Sequence, residues 1–137
     1  MSKYDLKNNI AVAVAVAITA VTGNGTTTGN IIDLQGYEGA TFLIHSGTIT
    51  DATYTPILKE SETGSFSGEE TAVADDDLIG TEAAAVFLAA DDNVVKTLGY
   101  RGQKRYVRLE IAVTDETTGG TIGALVVKSH PHVAAVA

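Results

Sequence analysis

The decapeptide Lys104-Arg105-Tyr106-Val107-Arg108-Leu109-Glu110-Ile111-Ala112-Val113 decides the fold class. Val107, Leu109, Ile111 and Val113 share one parity, and Lys104, Tyr106, Arg108 and Glu110 share the other. An apolar residue at every second position is the signature of a strand buried on one face. The same region concentrates positive charge. Five of the nine Lys and Arg residues lie between Lys96 and Arg108. One element therefore supplies both core and charge.

Downstream, Asp115-Glu116-Thr117-Thr118-Gly119-Gly120 reads as a hairpin turn that returns Thr121–Ser129 as the partner strand. Upstream, Asn93–Leu98, Ala40–Ser46 and Asn30–Leu34 read as further strands, and Thr48–Lys59 holds another. Pro56 within it lacks an N–H, which places it at a sheet edge or a bulge. Thr22–Gly29 reads as a turn from its glycine and asparagine content. Glu82–Ala90 is rich in alanine and is compatible with a strand or one short helix.

Near the start, Ile10–Ala20 alternates Val12, Val14, Val16 and Ile18 with Ala11, Ala13, Ala15 and Ala17. Branching at Cβ favours strand, and a strand apolar on both faces is usually covered on both. The reading is a central sandwich strand; the alternative is an arm packed on another subunit. A secretory leader is disfavoured by Asp5 and the two asparagines before the run. The run is also too short to cross a bilayer as a helix. Residues 1–9 read as a flexible or partner-contacting arm, and 130–137 as a weakly patterned tail.

With 137 residues, the chain reads as a single domain with enough surface to bury a core. It has no cysteine, which excludes disulfides and thiolate metal sites. The formal net charge of −8 disfavours nucleic acid and anionic membranes as partners. No catalytic motif is present: no Gly-x-Ser-x-Gly, no His-Glu-x-x-His and no phosphate loop. His130 and His132 are only two of the ligands a metal site needs, and the Asp75–Asp77 and Asp91–Asn93 runs depart from the calcium-loop pattern. The chain is read as non-enzymatic, with no cofactor, no metal and no small-molecule substrate.

Residues 60–95 carry ten carboxylates and no Lys or Arg. The basic cluster then has two readings. It is either an internal counter-charge to this acidic segment or a contact surface for another chain. Tyr and Arg are enriched at binding hot spots, so Tyr100, Arg101, Lys104, Tyr106 and Arg108 are the candidate interface residues. Acidic and basic patches on one chain also suit head-to-tail contact in a ring.

Three stretches resemble small proteins of tailed bacteriophages encoded beside the major capsid protein. They are Ile31–Phe42 (Ile-Ile-Asp-Leu-Gln-Gly-Tyr-Glu-Gly-Ala-Thr-Phe), Ala74–Gly80 (Ala-Asp-Asp-Asp-Leu-Ile-Gly) and Leu98–Arg108 (Leu-Gly-Tyr-Arg-Gly-Gln-Lys-Arg-Tyr-Val-Arg). The resemblance implies a capsid decoration, or cement, protein, made in the host bacterial cytoplasm and bound on the virion surface. Its implied partners are the major capsid protein and further copies of itself, with a trimer favoured. A head–tail connector or tail component is the alternative within the virion, and a carbohydrate-binding or adhesive module the alternative outside it. Together these readings predict an all-β domain over 1–137: a β-sandwich, or a jelly-roll or tulip-like barrel, with an N-terminal arm and at most one short helix.

Overall fold

The computed structural model describes residues 5–133. Nine strands are present among them: β1 (Ile10–Val21), β2 (Gly25–Asp33), β3 (Tyr37–Ile49), β4 (Thr53–Ser61), β5 (Thr71–Ala72), β6 (Leu78–Ile79), β7 (Val95–Tyr100), β8 (Tyr106–Thr114) and β9 (Gly120–Pro131). They form two antiparallel sheets. The first has the order β1-β9-β3-β7-β6 and the second β2-β8-β4-β5. The chain is an all-β sandwich. The barrel alternatives are not adopted, since the two sheets stay separate.

The founding strand is β8. Val107, Leu109, Ile111 and Val113 face inward and are buried, as their parity requires. β2 flanks β8 on one side and β4 on the other, so its backbone is paired across both edges. Its inner row joins Phe42 and Ile44 of β3, Leu98 of β7 and Val126 of β9 in one apolar cluster between the sheets.

The connection Asp115–Gly119 is not a hairpin. It carries the chain from β8 in one sheet to β9 in the other, where β9 pairs with β1 and β3. The crossing is held by Asp51, whose carboxylate accepts the backbone N–H groups of Thr117, Thr118 and Gly119. Asp115 and Gly119 adopt positive φ values of 60° and 88° in this connection. A Cβ at Gly119 would lie 1.9 Å from the Val21 carbonyl oxygen, so only glycine fits.

β1 lies at a sheet edge, which corrects the central position expected for it. A register shift around Ala15 breaks its alternation. Before the shift the valines Val12 and Val14 point outward and are exposed. At the shift Ala15 and Val16 are both buried. Thr22–Gly29 likewise contains less turn than expected. The turn is confined to its first residues, and Gly25 opens β2, because Thr26, Thr27 and Thr28 are branched at Cβ and favour a strand.

The two edges β1 and β2 meet without forming a ladder. The Asn30 side chain donates to the Val14 carbonyl at 3.0 Å. Gly29 sits so close that a Cβ would fall 2.4 Å from the carbonyl oxygens of both Ala15 and Leu109.

β4 is not an edge strand, but β5 pairs only with Lys59 and Glu60, so the side of Pro56 away from β8 has no ladder. The N–H groups of its strand neighbours of like parity point away from β8. Tyr54 donates to the Phe87 carbonyl at 2.9 Å, and Leu58 donates to Glu82 Oε1 at 2.8 Å. Pro56 sits between them, where an N–H would also have pointed outward. The stretch 82–90 supplies one 3-10 turn, Ala83–Ala85, and an isolated bridge from Phe87 to Tyr54. At the N-terminal end, Lys7–Asn9 forms a 3-10 turn that leads into β1. At the other end β9 continues through His130 and Pro131, residues expected in the tail; positions 134–137 of that tail, and 1–4 of the arm, lie outside the described residues.

The Gly29→Ala variant is expected to lose about 1–3 kcal/mol of stability, because neither backbone carbonyl can retreat without opening the β1–β2 corner. Urea unfolding followed by circular dichroism reads this directly. An unchanged midpoint would mean that the corner is loose.

Candidate interaction surface

The three stretches quoted above, far apart in sequence, build one end of the sandwich. Ala40 of β3 and Leu78 of β6 both pair with Tyr100 of β7, and Ile79 pairs with Gly99. The Arg101 N–H donates to the Asp77 carbonyl at 2.9 Å, and Arg101 Nε donates to the Asp76 carbonyl at 2.8 Å. The Leu34 N–H donates to the Arg105 carbonyl at 2.9 Å. Asp33 and Arg105 form a two-point ion pair, at 2.9 Å through Nε and 2.7 Å through the terminal nitrogen. Between these loops lies a polar cleft of about 340 Å³ lined by Gly36, Tyr37, Arg101, Gln103, Lys104 and His132, among others. His132 at its rim is bonded to Glu38.

The structure brings the five candidate residues to this end but gives them different jobs. Tyr100 is only 3% exposed. Its hydroxyl donates to Glu60 at 2.6 Å and accepts the Lys104 N–H at 3.0 Å. Burial, with the Glu60 carboxylate next in weight, pushes its pKa upward, so it stays neutral and holds the loop 101–105 in place. Arg108 is likewise internal, with its side chain 12% exposed. Neither is available for contact as expected. Tyr100 belongs to the core cluster between the sheets, whereas Arg108 lies on the outer face of the second sheet, which the excursion between β4 and β5 covers. Phe66 from that excursion stacks over the Arg108 guanidinium at 4.6 Å.

Beneath Phe66 the charges form a chain. Arg108 reaches Glu110 at 2.5 Å and Glu70 at 3.7 Å, and Lys59 reaches Glu110 at 3.2 Å. Lys104 pairs with Glu62 and Lys96 with Asp91. Three of the ten carboxylates of the acidic segment, Glu62, Glu70 and Asp91, therefore pair with members of the basic cluster within the same chain. Tyr106 is half-buried, with the Arg105 guanidinium 4.9 Å from its ring centre. Arg101 differs. Of the five cations between 96 and 108 it alone makes no ion pair among the described residues. It is exposed, and two backbone carbonyl contacts fix its direction.

A second surface was anticipated only in part, through the alternative in which the 10–20 run packs on another subunit. The outer face of the first sheet exposes Val12, Val14 and Ile18 of β1, Leu125 of β9 and Val95 of β7. Its signal is present in hindsight: β9 is apolar on both parities, with Ile122, Ala124 and Val126 against Leu125 and Val127.

No family model matches the chain, and no curated protein matches it. Among solved structures it is similar to the SPBc2 prophage-derived protein YomS, with 16% identity, 87% of this chain and 93% of that chain covered, and a TM-score of 0.48.

Two outcomes follow from the charge geometry. Arg108→Met is expected to cost about 2–4 kcal/mol, because Glu70 and Glu110 stay sequestered under the excursion with less compensation. Chemical denaturation measures this, and a loss below about 0.5 kcal/mol would contradict it. The Asp33 carboxyl is pulled from its ordinary 3.8 down to about 2 by its hydrogen bonds from Arg105. Because the folded value is depressed, the pair stabilises the protein above about pH 4, and that contribution disappears as pH falls through 2. The pair is half exposed and is worth about 1 kcal/mol or less. The Tm difference between the wild type and Asp33→Asn should therefore be present at neutral pH, shrink below about pH 4 and vanish below about pH 2; a difference that persists there would place the origin elsewhere.

Proposed function

We propose that this chain is a non-enzymatic structural protein of a tailed-phage virion that binds the outside of the capsid shell and stabilises it. The observation that carries the reading is convergence. The stretches 31–42, 74–80 and 98–108, which carry the resemblance to capsid-adjacent phage proteins, are brought together at one end of the sandwich. Segments that meet only in the folded state are built around a shared surface.

That surface suits protein contact. The loop 101–105 is braced from beneath by the Tyr100 hydroxyl and Glu60. It presents Arg101 with its Nε anchored and its charge unneutralised. A pre-ordered arginine loses little freedom on binding and offers two terminal nitrogens to a carboxylate on a neighbouring chain. Stabilisation follows from mass action: a protein that binds only the assembled shell shifts the equilibrium towards it in proportion to occupancy. Gripping more than one shell subunit adds avidity.

The test mixes purified protein with empty expanded capsids of the phage that encodes it. The wild type should co-sediment and raise the capsid disruption temperature. Arg101→Ser should bind about tenfold or more weakly, a loss above about 1.4 kcal/mol, while its own Tm barely moves. Failure of the wild type to co-sediment would sink the decoration reading; unchanged binding by Arg101→Ser would move the contact away from this end.

A further inference from the structure

The outer face of the first sheet has an unusual chemistry. Its register rows run Ile10, Ser129 and Gly39; Val12, Val127, Thr41 and Gly99; Val14, Leu125, Leu43 and Thr97; and Gly123, His45 and Val95. Ile79 pairs alongside Gly99. No Asp, Glu, Lys or Arg occurs in any row, although such residues make up 19% of the chain. The one ionisable side chain is His45. An antiparallel sheet with a solvated face alternates apolar-in with polar-out, and the second sheet obeys that rule on its outer side with Lys59, Arg108 and Glu110. The first sheet breaks it.

The face is also shaped. A Cβ at Gly123 would lie 2.6 Å from Ile18 Cγ1, and a Cβ at Gly99 would lie 2.9 Å from Ile79 Cβ. These two glycines let Ile18 and Ile79 lie across the sheet. Beside Ile18 is an open groove of about 430 Å³, lined by Val14, Ile18, Leu43, Val95, Gly123 and Leu125, among others. Ile18 itself is 75% exposed. A protruding isoleucine and a groove therefore lie side by side on one surface.

We infer that this face is covered by a second copy of the same chain in a two-fold, face-to-face pair. Three features select that occupant. A knob adjacent to a groove is self-complementary under a two-fold rotation, which places each Ile18 over the other copy's groove. A face without charge is the one surface on which two copies, each carrying −8, can meet with no like charges opposed. The size suits a reversible pair. Four strands at about 4.8 Å spacing and seven residues at about 3.4 Å give about 460 Å² per copy, or about 900 Å² for the pair, before the protruding Ile18 and Ile79 are counted. That is the range of a weak, concentration-dependent interface. The pair leaves the Arg101 end free, so it is independent of the capsid-binding reading.

Sedimentation equilibrium on the full chain, across the micromolar range, decides the matter. The wild type should sediment at twice the single-chain mass of 14.2 kDa. Leu125→Glu and Val95→Glu, each at an exposed position, should sediment as single chains while keeping the wild-type circular dichroism spectrum. The inference is overturned by a wild type that stays monomeric, by a trimer, or by a dimer that both folded variants leave intact. Capsid co-sedimentation by the monomeric variants separates this outcome from the fate of the Arg101 contact.

Discussion

The inner row of β8 constrains everything else in the molecule. Val107, Leu109, Ile111 and Val113 are fully enclosed, and β2 and β4 pair with the strand on either side. Because side chains alternate at a period of two, burying this row forces Tyr106, Arg108 and Glu110 onto the opposite face. Two charged side chains are thus placed above a sheet, and the fold must neutralise them there. Lys59, Glu70 and the ring of Phe66 do so. The excursion between β4 and β5 is therefore a lid required by the core strand, not a loose acidic loop.

The same logic explains why the two sheets present such different outsides. The second sheet carries its charges under cover. The first carries none on its outer rows. An acidic protein with one neutral, corrugated face and one end bearing an uncompensated arginine has two directions of approach. One is apolar and undirected by charge, whereas the other is polar and directional. A protein that assembles on a larger structure needs both kinds of contact, one to set spacing and one to set orientation.

Much of this was legible in the sequence, and the failures have physical causes. Alternation in 106–113 located the central strand and its buried parity. Pro56 announced a side of its strand without a ladder, since a missing donor is tolerated only where no ladder bond is needed; here that side is the part of β4 beyond the reach of β5. The partner of β9 was misassigned because a short glycine-containing turn reads the same whether it folds back within a sheet or crosses to the facing one. Asp51 decides between them, and it lies more than sixty residues away. The direction of β1 was ambiguous because both of its parities are apolar, and the register shift at Ala15 leaves no mark in composition. At the candidate site, residue types pointed to the correct segment but not to which members were free. Tyr100 and Arg108 are consumed by Glu60, Glu70 and Glu110, partners that only the folded chain brings near.

The central claim is that this sandwich decorates a capsid shell in many copies. The most direct measurement is the number of copies per virion, from quantitative mass spectrometry of purified particles or from reconstruction of the particle surface. The account predicts hundreds of copies, comparable to the major shell subunit, with density outside the shell. A dozen copies or fewer, confined to one vertex or to the tail, would contradict it.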